Sequence, residues 1–227
     1  MDQKVPYFKF EIRMLDVETF GKFIGEANRT YQQLSVWRNT NNHFAKHAAR
    51  WNEWSDKGSF SVEKFTKRNG SKYKNFWAVT TVSLQHGWIM GTARLFDPPY
   101  HPKDSKKEKP RLSFGYILLQ MTDTKLAEEL KNQLIKHKSV LDSIKKHRTD
   151  AFAHFDLGFK RTRIEAGVEE LFEWLENVIS QIKQSESHLK ICGNLQVEYN
   201  ETLAKCGVDE VFETLLVGED FEQDINQ

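Results

Sequence analysis

A short basic segment, residues 147–157 (HRTDAFAHFDL), holds the residue types best suited to chemistry on a phosphodiester. Arg148 is followed six positions later by His154. Arginine stays charged and binds phosphate oxygens through a planar fork of donors, whereas histidine exchanges protons near neutral pH. An arginine and a histidine at one phosphate could therefore cleave or bind RNA without a metal ion.

The charge around this pair favours a nucleic-acid ligand, although the whole chain of 227 residues carries a formal net charge of only +1. Between residues 145 and 163 the acidic residues are Asp150 and Asp156 alone. A local excess of positive charge is what binding to a phosphate backbone requires. We therefore predict that the lysines and arginines of this segment bind RNA, namely Lys145, Lys146, Lys160, Arg161 and Arg163.

The spacing of the pair limits how the site can be built. At 100° per residue, six positions place Arg148 and His154 about 120° apart around a straight helix. Either the helix bends or ends between them, or the site combines residues from two copies of the chain across a two-fold axis. A structural interpretation also stays open, in which Arg148 pairs internally with an acid, because an inward-pointing arginine needs an anionic partner.

Two long helical patterns precede the motif. Apolar residues at spacings of three and four run from Val17 to Trp51, after a start at Asp16. The second pattern, from Ser71 to Phe96, is apolar around most of its circumference, which predicts a buried helix or one at a subunit interface. It stops before Pro98, because proline cannot continue a helix.

Further helices flank the motif. A third pattern runs from Asp123 into it, and a fourth opens at the capping box Thr162–Glu165 and extends to about Leu189. Shorter helices are predicted at residues 112–119 and 197–205. From Asp209 onward the chain has seven acids and no Lys or Arg, and we expect this tail to be partly disordered.

Composition argues against several classes of protein. No apolar run approaches the roughly 18 residues that span a bilayer, and the segment MDQKVPYFKFEIR is too polar for a signal peptide. Cys192 and Cys206 lack metal-binding spacing, so we expect reduced thiols in a cytoplasmic protein. No phosphate-loop, dinucleotide-binding or metalloprotease motif occurs, and we expect neither a metal nor a cofactor.

The patterns predict an all-α fold, an antiparallel four-helix bundle with short additional helices. We divide the chain into an N-terminal arm (residues 1–15), the helical bundle (16–190), and a C-terminal helical extension with an acidic tail (191–227).

Three stretches, taken in this order, resemble the HEPN superfamily and within it the AbiU-like branch from bacterial phage-defence systems. They are Ala93–Asp97 (ARLFD), Leu112–Phe114 (LSF) and His147–Asp156. The last contains the R-x4-6-H pattern that marks HEPN proteins. With the helices around them, the resemblance covers about residues 16–190.

The resemblance implies a bundle that dimerises, so that two motifs form one composite cleft. It also implies a metal-independent endoribonuclease that acts as a toxin or phage-defence effector. In such an enzyme Arg148 and His154 would be catalytic. Residues expected to orient this pair are Thr149, Asp150 and Asp156. Arg94 and Asp97 either support the cleft from the second helix or form a structural pair at the end of that helix.

One position departs from the family pattern. HEPN ribonucleases usually carry Asn, Asp or His directly after the arginine, where this chain has Thr149. Other HEPN proteins are non-catalytic, so the alternative function is that of a helical binding protein: an antitoxin, an adaptor or a nucleotidyltransferase partner.

Overall fold

The computed structural model describes residues 14–56, 70–100, 110–149 and 167–224. All regular secondary structure within these ranges is helical, which confirms the all-α prediction. In chain order the helices are α1 (Val17–Asp56), α2 (Gly70–Leu95), α3 (Phe114–Gln120), α4 (Thr124–Leu134), α5 (Lys138–His147), α6 (Val168–Ser185) and α7 (Val197–Asp224). Short 3-10 turns are formed by Ile135–His137 and Ser187–Ile191.

The packing of α2 against α1 depends on glycine. A Cβ atom on Gly91 would lie 2.3 Å from Oγ1 of Thr30, and one on Gly87 would lie 2.6 Å from Oε1 of Gln33. The later glycine faces the earlier residue of α1, so the two helices run antiparallel. Two valines in the first half of α2 are exposed to solvent, Val79 at 67% and Val82 at 40%. This end of α2 is therefore exposed within one chain, and the alternative that its apolar face lies at a subunit interface stays a prediction.

The helix α6 supplies the centre of the core. Its buried face packs on α1, with the rings of Tyr31 and Phe172 at 5.1 Å. Because Arg38 pairs with Glu169, three residues earlier on α6, these two helices also run antiparallel. The fully buried residues of α6 are Val168, Leu171, Phe172, Leu175, Val178, Ile179 and Ile182.

The third predicted helix is interrupted. Asp123 caps α4 by accepting a hydrogen bond from the amide of Leu126 at 3.0 Å, and α4 gives way to the 3-10 turn at Ile135 before α5 begins. The buried carboxylate of Glu186 accepts hydrogen bonds from the amide and hydroxyl of Thr122, at 2.6 and 2.7 Å. This contact fastens the start of α4 to the end of α6.

The start of α6 differs from the prediction. The helix begins at Val168, whereas the capping box at residues 162–165 lies outside the described residues. Gly167 has a φ of 85°, a left-handed conformation that glycine adopts without strain and that interrupts an α-helix. A helix running continuously from the capping box is therefore wrong.

The helix α7 is longer than predicted and lies parallel to α1. Asn28 accepts hydrogen bonds from the Gln196 amide and the Asn200 side chain, and further along both helices His43 contacts Asp209. The acidic segment expected to be partly disordered is helical as far as Asp224. None of the helices in the described ranges has the length and apolar character needed to cross a membrane.

Candidate functional site

Arg148 forms an ion pair with Asp97. The regular helix α5 ends at His147, and the backbone widens into a π-helical turn at Arg148 and Thr149. Nη1 of Arg148 donates to Oδ2 of Asp97 at 2.8 Å. The Asp97 side chain is 10% exposed and that of Arg148 is 31% exposed. The carboxylate is thus nearly enclosed, while part of the guanidinium is open to solvent.

Local sequence explains why these two side chains meet. Asp97 comes two residues after the end of α2, and its amide donates to the Arg94 carbonyl at 3.4 Å. The prolines that follow prevent a further turn, which leaves the carboxylate at the C-terminal end of α2. On α5, Arg148 is one turn beyond the fully buried Ile144. It therefore continues the inward-facing side of that helix.

The short helix α3 completes this region. Ser113 is its N-cap and accepts a hydrogen bond from the amide of Tyr116. The ring of Phe114 lies 6.0 Å from that of Phe96 and meets Trp174 of α6 edge-on at 5.4 Å. Aromatic pairs at these separations contribute packing energy beyond their buried area. The three sequence stretches singled out above, residues 93–97, 112–114 and 147–156, thus all have residues in this one region.

The other predicted site residues of α2 and α5 lie around the ion pair. Arg94 and Lys146 are exposed, and Lys145 is half-buried. The exposed Thr149 donates its hydroxyl to the Lys145 carbonyl at 3.0 Å. Outside the described residues are Asp150, His154, Asp156, Lys160, Arg161 and Arg163, and the roles expected of them stay predictions.

The arrangement can hold a phosphate at Arg148. The contact with Asp97 engages one terminal nitrogen of a guanidinium that has five N–H donors. A carboxylate that fixes an arginine in this way orients the fork before a ligand arrives, which reduces the entropy lost on binding. In the part of the chain that the structure describes, no group of three His, Cys, Asp or Glu residues is placed to hold a metal ion.

A second polar cluster, joining α1, α6 and α7, escaped the sequence analysis. Glu201 accepts hydrogen bonds from Tyr31 and from Nη2 of Arg38, and Arg38 also pairs with Glu169. Burial, followed by the hydrogen bond to Glu201, raises the pKa of Tyr31 well above its usual range. Partial burial would raise the pKa of Glu201, but the hydrogen bonds from Tyr31 and Arg38 outweigh it and lower that pKa.

This second cluster is satisfied by its own contacts, so we assign it to holding the helices together. Tyr31 fits the apolar stripe of α1 and Glu169 fits the polar face of α6, which is why periodicity did not single out either residue. Only the parallel placement of α7 brings Glu201 to them.

No protein-family model, curated protein or solved structure matches this chain.

Proposed function

We propose that this chain is a metal-independent endoribonuclease of HEPN type, built on an antiparallel four-helix bundle, that cleaves RNA with Arg148 and His154 in a cleft shared by two copies. The Arg148–Asp97 contact carries the proposal, because it places a partly exposed arginine where the HEPN-like stretches meet. The basic residues around the motif add a second line of support.

In the proposed reaction His154 removes the proton from a ribose 2′-hydroxyl, or returns one to the leaving group. The 2′-oxygen forms a bond to phosphorus, the bond to the 5′-oxygen breaks, and that oxygen leaves as a hydroxyl. Arg148 stabilises the negative charge that builds on the phosphate oxygens. The products carry a 2′,3′-cyclic phosphate and a 5′-hydroxyl, and DNA is not cut because it lacks the attacking group.

Cleavage of total RNA in EDTA tests the proposal, with the new ends identified chemically. The wild type is compared with the double variant Arg148→Ala/His154→Ala. Arg29→Ala is the matched control, since Arg29 is an exposed arginine on α1 that does not belong to the predicted site. We expect the wild type and the control to leave cyclic phosphate and the double variant to leave RNA intact. The proposal would be refuted if the double variant cut RNA as well as the wild type does, or if the wild type cut DNA as well as RNA.

A toxin or phage-defence role in the cytoplasm fits such an activity, with an antitoxin as the natural partner. An active nuclease is expected to slow growth when overproduced, and His154→Ala is expected to relieve that effect.

A second function is favoured by one observation at the same site. Asp97 already neutralises Arg148, and the Thr149 hydroxyl is engaged by the backbone. Such a site suits a non-catalytic HEPN-type protein that acts as antitoxin, adaptor or nucleotidyltransferase partner. Overproduction of the wild type and of His154→Ala would then be tolerated equally.

A further inference from the structure

Two exposed arginines lie beside the Arg148–Asp97 pair without a part in the proposed reaction. Arg94 is one turn before Asp97 and its carbonyl accepts the Asp97 amide. The backbone of Arg111 lies beside Pro99, two residues after Asp97, because its amide donates to the Pro99 carbonyl at 2.8 Å. Both arginines are exposed. They therefore flank the ion pair from the end of α2 and from the segment that leads into α3.

The charges around the pair are mostly positive. From α5 come Lys145, Lys146 and Arg148, which join Arg94 and Arg111. The acidic residues in residues 94–100, 110–113 and 138–149 are Asp97, which pairs with Arg148, and Asp142, one turn before Lys145. With Lys138 these ranges contain six Lys and Arg residues against two carboxylates, so the region is clearly basic, in a chain that is nearly neutral as a whole.

We propose that Arg94 and Arg111 bind the phosphate backbone of RNA and so extend the Arg148 site beyond the phosphate that is cut. We call residues Arg94, Arg111, Lys145 and Arg148 the basic surface. The proposal rests on the proposed function for its choice of RNA. Phosphate fits the chemistry, because arginine binds its oxygens through paired hydrogen bonds, and release of counterions from the backbone favours binding to exposed cations.

Binding to a short fluorescent RNA with every 2′-hydroxyl methylated tests the basic surface, since such a strand cannot be cleaved. Affinity is measured by anisotropy between about 50 and 200 mM salt. Arg94→Gln/Arg111→Gln is compared with the wild type and with Arg29→Gln, which removes an exposed arginine that pairs with Glu26 and does not belong to the basic surface. We expect the double variant to lose at least about tenfold in affinity and to lower the salt slope by about 1.4, or about 0.7 per phosphate contact. The control is expected to match the wild type.

The outcomes separate this proposal from the nuclease proposal. Unchanged affinity and salt slope in the double variant, or no binding by the wild type, would overturn the proposal that the basic surface binds RNA. The cleavage assay would then test the nuclease proposal independently. Loss of binding together with no cleavage of unmodified RNA by the wild type would support the surface and count against the nuclease. Because phosphate contacts do not read the sugar, a DNA strand of the same sequence is expected to show the same loss.

Discussion

The carboxylate of Asp97 is more deeply enclosed than the guanidinium of Arg148 that pairs with it. A charge taken out of water is costly unless its partner stays in place. Arg148 therefore has two tasks in the proposed enzyme: it compensates Asp97 in the free protein and faces the phosphate in the complex.

At this scale we predict that Arg148→Ala lowers the free energy of unfolding by about 1–3 kcal/mol, because Asp97 is left buried and unpaired. The double variant Arg148→Ala/Asp97→Ala is expected to lose less unfolding free energy than the two single variants together. Urea unfolding of the wild type, both single variants and the double variant measures this difference. The pair Lys131–Glu128, whose side chains are both exposed, provides the matched cycle, with an expected coupling below about 0.5 kcal/mol. Equal coupling in the two cycles would contradict the assigned burial of Asp97.

The need for an anion at Arg148 followed from the sequence, but its identity did not. Asp97 is 51 residues away, and periodicity gives the face of a helix rather than its neighbour. Only the fold shows that the end of α2 meets the end of α5.

At the scale of the elements, the contact between α1 and α2 leaves no room for a methyl group at Gly91. Thr30 is almost fully buried and its hydroxyl donates to the Glu26 carbonyl at 2.8 Å, so it cannot move aside without losing that bond. We predict that Gly91→Ala destabilises the protein by about 1–3 kcal/mol, through overpacking.

The matched control is Gly25→Ala on α1, where a Cβ would meet nothing within 4 Å. Alanine there is expected to stabilise the helix by about 0.5–1 kcal/mol. Thermal unfolding followed by circular dichroism should thus move in opposite directions for the two variants. A rise in Tm for both would mean that α2 does not approach Thr30 as described.

Helix boundaries could be predicted where the apolar stripe is strong or prolines follow the helix, and less well elsewhere. The stripe of α1 and the prolines after α2 placed those helices to within a few residues. The length of α7 was missed, because an acidic sequence with scattered apolar residues resembles a solvated tail. Helix α7 buries a narrow stripe of residues that includes Asn200, Ala204 and Val208. Polar contacts with α1, such as the one from Asn200 to Asn28, add to its attachment.

For the whole molecule, the proposed composite cleft predicts complementation between inactive variants. Arg148→Ala and His154→Ala are each expected to lack activity alone. If the site takes its arginine and histidine from different copies, mixing the two after unfolding and refolding should restore about a quarter of wild-type activity, since half the dimers are mixed and each has one intact site. The RNA assay in EDTA measures this, and dimer formation is checked by light scattering. No recovery in mixed dimers would show that one copy supplies both residues.

The placement of α1 has a consequence for how the chain is made. This helix is translated before every other helix described here, yet two of the three long helices that pack on it, α6 and α7, come last. Its contacts with them join residues more than 130 positions apart, from the Arg38–Glu169 ion pair to the hydrogen bond between Asn28 and Asn200. Such distant pairings form slowly, and the uncovered surface favours association with other chains in the meantime. During synthesis the face of α1 around Tyr31 therefore stays exposed until α6 and α7 have been made. We expect a nascent chain stopped before residue 168 to bind chaperones more strongly than the finished protein.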